Sequence, residues 1–433
     1  MDAALQTLQQ IASRIEGYDP QSLSVDNAKA FIARLVTPVT AIERLSIRSA
    51  LGRVLARDIV SSIDVPAHDN SAMDGYAFRG SDLAADGATT LRLAAGTRLA
   101  GQPLMGLVDR GECLRIMTGA VMPPGCDTVV PQEFATVANG QVSVPAGVVR
   151  TGDNRRLAGE DLARGEVALA AGRLLRPADL GMLASLGHAE VAVRRRVRVA
   201  FFSTGDELRS VGETLDAGCV YDSNRYTLWG MLERLGVEVI DMGVIRDDPQ
   251  ALREAFSQAA QSADAVITSG GVSVGEADHT KQVMAELGDV LFWRIAMRPG
   301  RPMAIGRITA AGQSASGALL FGLPGNPVAV MVTFYAFVRD ALLAMSGASA
   351  LRMPLLRAAA TAPIRKKPGR TEYQRGIVTR GADGQWQVAI AGSQGSGILR
   401  SMSEANGLVL LHHDQGNVEA GEAVDVIPFD GLI

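Results

Sequence analysis

A chain of 433 residues is too long for one hydrophobic core and reads as three or four domains. Its 47% hydrophobic and 20% charged residues are those of an ordinary soluble globular protein, not a disordered or fibrous one. The net charge of -4 argues against a nucleic-acid partner, because such affinity rests on neutralising phosphates.

Residues 1–62 read as helical. SVDNAKAFIARLV places Ala28, Phe31, Ile32, Leu35 and Val36 on one face at helical spacing, with Ser24 as the N-cap. The start, MDAALQTLQQIASRIEG, lacks the basic end and apolar run of a secretory signal. From 63 to 150 short apolar pieces are broken by Gly and Pro, as in GECLRIMTGAVMPPGCDTVVPQEF, which predicts a β-rich domain. Mixed structure returns over 151–195, with a helix near Pro177, so 63–150 reads as an insert in an elongated helical and mixed N-terminal domain built from both flanks. The run Arg194, Arg195, Arg196, Arg198 reads as a solvated strand edge.

Residues 196–346 alternate strands (VRVAFFS, VEVIDMGVI, DAVITS, VLFWRIAM, ALLFGL) with helices (SNRYTLWGMLERLG, PQALREAFSQAAQSA, DHTKQVMAELG, PVAVMVTFYAFVRDALLAM). That order predicts a three-layer α/β domain with a mainly parallel sheet. Its longest apolar stretch, near Val328 to Val338, is too short to span a bilayer. After about 347 the chain is strand-like to residue 433, as in a small barrel, and His412 and His413 there read as structural. The whole reads as a multidomain α/β plus β fold. Cys113, Cys126 and Cys219 form no CxxC pair, which fits a reducing compartment, and a cytoplasmic protein without a membrane partner is expected.

In open α/β sheets ligands sit outside the carboxyl ends of the strands. At those ends this sequence puts Thr204, Gly205, Asp206 and Glu207; Asp222, Ser223 and Asn224; Asp247 and Asp248; Ser269, Gly270 and Gly271, followed by Glu276 and Asp278; and Pro324 to Pro327. Singly, an Asp or Ser before a helix is a cap and a Gly pair is a turn. Together they read as a site. Glycine amides and helix N-termini suit phosphate, whereas carboxylates repel it unless a hard cation lies between. Magnesium binds one or two carboxylates plus substrate phosphates, so a metal-bridged phosphate reconciles the two. In WRIAMRPGRP, Arg294, Arg298 and Arg301 surround a Pro-Gly turn and read as an oxyanion clamp. No Ser-His-Asp or Cys-His arrangement calls for a covalent intermediate.

The strings DVPAHDNSAMDGYA (64–77), RIMTGAVMPPGCDTVV (115–130), RLAGEDLARGE (156–166), STGDEL (203–208), YDSNRY (221–226), TSGGVSVGEAD (268–278), MRPGRP (297–302) and GLPGNPVA (322–329) span most of the chain. They resemble the molybdopterin molybdenumtransferases, the MoeA and gephyrin E-domain family. The resemblance implies a molybdopterin-binding type of α/β domain. It implies an enzyme that takes adenylylated molybdopterin and molybdate, uses a divalent cation such as Mg2+, and releases AMP and molybdenum cofactor. It also implies a homodimer whose site lies between the α/β domain of one subunit and the insert of the other. Molybdopterin adenylyltransferase and apo molybdoenzymes would be the pathway partners.

Carried over by motif, Asp69, Thr118 and Asp161 would face the ligand from the N-terminal half, although each also reads as a turn or cap residue. Glu207, Asp247 and Asp278 would manage metal and pyrophosphate, and Ser269, Gly270 and Gly271 would cradle phosphate. Pro324 and Pro327 would shape the last loop, and Arg370 or Arg375 with Ser396 would approach pterin or molybdate. The family pattern has lysine where Arg294, Arg298 and Arg301 stand; charge is kept, but no deprotonatable amine is present there. Three alternatives stay open: an adenylyltransferase-like enzyme, a tungstate-specific paralogue, and a scaffold of the gephyrin type.

Overall fold

The computed structural model describes residues 7–102, 106–272, 279–309, 317–350 and 353–429. The helix Val25–Leu35 starts where the Ser24 hydroxyl accepts the Asn27 amide at 3.1 Å and buries Val25, Ala28, Phe31, Ile32 and Leu35. Phe31 is the anchor of this face. It stacks on Tyr18 and meets Trp293 edge-on at 5.0 Å, while the Trp293 indole donates to the Tyr18 hydroxyl at 3.0 Å. The N-terminal helices are thereby docked on the α/β sheet.

The helical reading of 1–62 fails after Leu35. Ile42–Ser46 is a strand paired antiparallel with Glu190–Arg194, its residues alternating between exposed and half-buried. A second short ladder, Ile59–Val60 with Val167–Leu169, also joins segments before and after the insert, and a third, Asn70–Ser71 with Arg155–Arg156, ties the start of the insert to the chain that leaves it. The chain thus runs out and back along one path. Beyond it lies a six-stranded sheet in the order Thr128–Pro131, Gly75–Phe78, Glu112–Ile116, Thr89–Arg98, Gln141–Val144, Thr136–Ala138. Successive residues face two cores, Phe78 and Cys113 on one side, Ala77 and Leu114 on the other.

The central sheet runs Glu238–Ile245, Arg198–Thr204, Ala265–Ser269, Ala318–Leu323, Pro302–Ile308, Gly288–Arg294. The first four strands are parallel and the last two antiparallel. Val199 and Phe201 face one core, Ala200 and Phe202 the other, so helices cover both faces. The strand Pro302–Ile308 was hidden in sequence by its opening Pro and by Gly306. That glycine is required: a Cβ there would lie 2.3 Å from the Asp289 carbonyl of the neighbouring strand.

The closing helix runs Pro327–Met345 with a π-helical turn at Phe334–Val338. It is longer than the apolar stretch suggested, long and apolar enough to cross a membrane, yet 83% of it is buried inside the protein, as in a core helix. Arg195 pairs bidentately with Asp264, Arg198 with Glu238, and Arg194 and Arg196 donate to carbonyls of Val39, Thr40 and Gly236. The basic run therefore ties segments together and is no open patch.

At the C-terminus five strands close a barrel. Thr371–Arg380 pairs with both Trp386–Ile390 and Gly407–Leu411; Leu356–Ala360 and Ala423–Pro428 complete the ring. His412 lies just past the Gly407–Leu411 strand and bonds to Asp425 at 2.7 Å.

Burial pushes the Cys113 and Cys126 thiols up to about 12, whereas Cys219 is partly exposed. Brief iodoacetamide treatment of the native protein should label Cys219 alone by peptide mass spectrometry, and all three cysteines after denaturation. Equal labelling of Cys113 in the native state would contradict this packing.

Candidate active site

The carboxyl ends of the parallel strands open into a cleft of about 1080 Å³. Its walls carry Thr204, Gly205, Glu207, Asn224, Asp247, Ser269, Gly270, Gly271, Arg298, Arg301 and Pro324 from the α/β domain, and Arg370 and Ser396 from the barrel. A second hollow of about 640 Å³ lies at the opposite pole of the sheet. There Arg195 is paired with Asp264 and Arg307 donates to the Leu35 carbonyl at 2.8 Å, so its cations serve the fold.

The turn after Ala265–Ser269 admits only glycine. Gly270 has φ +97° and an added Cβ would lie 2.6 Å from the Thr204 carbonyl; Gly271 has φ +65° and would strike the Thr280 side chain at 2.5 Å. Behind it, the Asn224 amide donates to the Ser269 hydroxyl at 2.8 Å and to the Gly325 carbonyl at 2.7 Å, fastening two strand-end loops to one helix start. Because Gly325 offers only an acceptor, the amide orientation is determined. The Ser269 oxygen accepts, so its proton is free for a ligand. Asn224 Oδ1, Thr204 Oγ1 and Asp247 Oδ1 are buried and have no hydrogen-bond partner among the described residues. Orphaned buried polar atoms are costly, and a bound ligand is what would satisfy them.

The carboxylates divide into two groups. Asp222 caps its helix by accepting the Arg225 amide at 3.1 Å and does not line the cleft, nor does Ser223. Asp248 likewise caps the next helix through Gln250 and Ala251. Glu207 and Asp247 do line the cleft. Glu207 lies so close over Gly205 that a Cβ there would be 2.5 Å from Oε2, and Asp247 is held by the hydrogen bond its backbone amide donates to Asp206 Oδ1 at 3.3 Å. Glu276 and Asp278 lie outside the described residues. Among the described residues no three His, Cys, Asp or Glu side chains gather as a metal cluster.

The arginine clamp needs correction. Arg298 and Arg301 line the cleft, but Arg294 does not: it ends the Gly288–Arg294 strand opposite Pro302, its backbone bonded to Pro20 and Leu23. Arg370 joins instead, its guanidinium set by Glu372 at 2.7 Å. Arg375 is only 1% exposed. It donates to Ser401 Oγ and to the Ser393 and Gly395 carbonyls, so it braces from behind the loop that carries Ser396 into the cleft. Pro324 shapes the wall, while Pro327 is the first helical residue and points no group into it. Gln394 and Asn326 also line the cleft and are not among the expected site residues, although Asn326 lies in the GLPGNPVA string and Gln394 two residues before Ser396.

Asp69, Thr118 and Asp161 do not line this cleft within the one chain. Asp69 accepts the Ala158 amide at 2.8 Å and lies 3.7 Å from Arg155. Asp161 is exposed, its amide bonded to the Val65 carbonyl. Thr118 donates both its amide and its hydroxyl to one oxygen of Asp74, at 2.7 and 2.6 Å.

Residues 23–187 match the MoeA N-terminal region (domain I and II), 200–344 a probable molybdopterin binding domain, and 357–429 the MoeA C-terminal region (domain IV). A molybdopterin molybdenumtransferase of Haemophilus influenzae is 41% identical over 412 residues, covering 95% of this chain and 100% of its own. One from a Nostoc species is 36% identical, with 89% and 88% covered. The crystal structure of a molybdopterin biosynthesis moeA protein from Pyrococcus horikoshii superposes with a TM-score of 0.78 at 28% identity, over 94% of this chain and 99% of that one. The multidomain fold, with its closed five-stranded C-terminal barrel, is MoeA-like, and the chain belongs to the MoeA family of molybdopterin molybdenumtransferases.

Proposed function

We propose that this protein is the cytoplasmic enzyme that inserts molybdenum from molybdate into adenylylated molybdopterin, cleaving the adenylate and releasing AMP in a magnesium-dependent reaction. The observation that carries this reading is one cleft joining a glycine turn with its leading hydroxyl (Ser269, Gly270, Gly271), two carboxylates (Glu207, Asp247) and three arginines (Arg298, Arg301, Arg370). Ser269 presents its free proton to phosphate, and the glycines let the phosphate approach the backbone. The arginines form the oxyanion end, each with fixed paired donors for molybdate.

Two carboxylates suffice for magnesium when phosphates complete its shell, and Asp247 Oδ1, which has no partner among the described residues, fits that role. Glu207, Asp247 and, by motif, Asp278 would hold the ion, which supplies charge neutralisation at the pyrophosphate. The molybdopterin-binding domain is taken as 196–346, with the barrel from 347, the insert at 63–150, and the elongated domain at 1–62 and 151–195. Its adenylate would come from molybdopterin adenylyltransferase and its product pass to apo molybdoenzymes.

Asp69, Thr118 and Asp161 would complete the cleft from a second copy. Two features support this: all three lie off the cleft of their own chain, and Tyr226 and Trp229, one turn apart near the cleft-lining Asn224, are 52% and 48% exposed. Light scattering should return twice the 45.5 kDa chain mass; a monomer that still turns over would remove the shared site.

Purified protein given adenylylated molybdopterin, magnesium and molybdate should release AMP only when molybdate is present and should then activate an apo molybdoenzyme. A stronger response to tungstate would reassign the oxyanion. Glu207→Gln should lower AMP release at least a hundredfold with unchanged circular dichroism, and full activity would exclude Glu207. Gly270→Ala should weaken AMP binding at least tenfold by calorimetry, since its Cβ meets backbone.

A further inference from the structure

The Asp74–Thr118 pair is unused by the cleft as described. Thr118 Oγ1 lies 2.6 Å and its amide 2.7 Å from the same oxygen, Asp74 Oδ1. The two segments are also stitched by backbone: Gly119 donates to the Ser71 carbonyl, Ser71 to the Ala120 carbonyl, and Gln132 to the Asp74 carbonyl itself. Ser71 locks the intervening turn by donating its hydroxyl to the Met73 carbonyl. Asp74 is therefore fixed on its own strand entry, and Thr118 is fixed to Asp74. The threonine's two bonds, side chain first, hold the Asp74 carboxyl below the usual carboxylate range, so it is ionised at neutral pH.

An ionised carboxylate only accepts, and a hydroxyl has one proton. The Thr118 proton is committed to Asp74, and what its oxygen offers outward is lone pairs. We propose that Asp74 is a positioning residue that makes Thr118 an obligate hydrogen-bond acceptor, so that this wall of the site recognises a donor group of the substrate, an N–H or O–H such as those on the edge of a pterin, and turns away phosphate and molybdate. The inference rests on the reading that Thr118 faces the substrate of a neighbouring copy's cleft. It divides the work of the site by chemistry. The arginines, glycine turn and Ser269 of the α/β cleft take the anionic end of the substrate. The insert wall, with the negative charge of Asp74 behind an acceptor oxygen, takes the donor-bearing end. An oxyanion placed against Thr118 would find no proton to accept and a carboxylate behind it. Asp69 does not duplicate this part, because its oxygens are engaged by the Ala158 amide and by Arg155.

The test measures KM for adenylylated molybdopterin in the molybdate-dependent AMP assay and, separately, the Kd of AMP by calorimetry, all on the full chain. Thr118→Val keeps the backbone bond to Asp74 and loses only the hydroxyl; Asp74→Ala frees that hydroxyl to rotate. Both should raise KM about tenfold, the worth of one hydrogen bond to a buried ligand group. Thr118→Ser and Asp74→Asn, whose amide oxygen still accepts both Thr118 donors, should recover most of that loss. AMP affinity should stay within twofold in all four, because AMP lacks the pterin. An unchanged KM in Thr118→Val and Asp74→Ala overturns the proposal, as does a parallel loss of AMP affinity, which would put phosphate at this wall. Wild-type protein that releases no AMP would instead defeat the transferase reading itself, so the two failures are distinguishable.

Discussion

The site depends on a short run of backbone pairing between two domains. Met297 and Arg298 lie parallel to Thr371 and Glu372, the Thr371 amide reaches the Ala296 carbonyl at 2.9 Å, and the Val328 amide at the start of the long buried helix reaches the Ser396 carbonyl at 3.1 Å. These bonds hold the barrel against the α/β sheet at the edge where its parallel strands end. Without them Arg370 and Ser396 would belong to a separate domain, and the anion end of the cleft would lose a wall. A chain of polar contacts built on two buried charges continues the same constraint: Glu372 sets Arg370, and Arg375 braces the 393–395 loop. Buried charges with hydrogen bonds in place are expensive to disturb, which gives this wall one arrangement.

Anchoring on the far side is apolar. The Tyr18–Phe31–Trp293 stack seats the N-terminal helix on the strand that leads to Arg294. From there the chain travels out to the insert and back through three two-stranded ladders. The residues that the family resemblance assigns to substrate from the insert thus ride on a narrow arm, away from the cleft of their own chain. At the end of that arm the insert's six-stranded sheet, with a core on each face, gives these residues a rigid platform.

Several residues were legible from local chemistry alone. Ser24 and Asp248 cap helices as their positions imply, and the glycines at 270 and 271 adopt backbone conformations that other residues rarely do. The alternation of strands and helices from Arg198 onward set out most of the central sheet, and with it the edge where Thr204, Asn224, Ser269 and Pro324 meet. Pro302–Ile308 escaped because a proline and a glycine argue against a strand until the crowding at Gly306 is seen. Ile42–Ser46 escaped because its pairing partner, Glu190–Arg194, is remote in sequence.

Periodicity, caps and glycine conformation act over a few residues, and so the amino-acid sequence by itself determined the multidomain α/β plus β character and many, not all, of the residues that line the cleft. Which of those residues face a ligand was decided by tertiary structure. Arg294 and Arg298 are four positions apart on one stretch, yet only Arg298 lines the cleft, because Arg294 still pairs with Pro302 in the central sheet whereas Met297 and Arg298 have passed to Thr371 and Glu372 of the barrel. Arg370 precedes and Arg375 lies within the Thr371–Arg380 strand, yet one is seated on a carboxylate at the surface of the cleft and the other on carbonyls behind it. The direction of a side chain is set by what packs against it, and the groups that pack here come from distant parts of the chain.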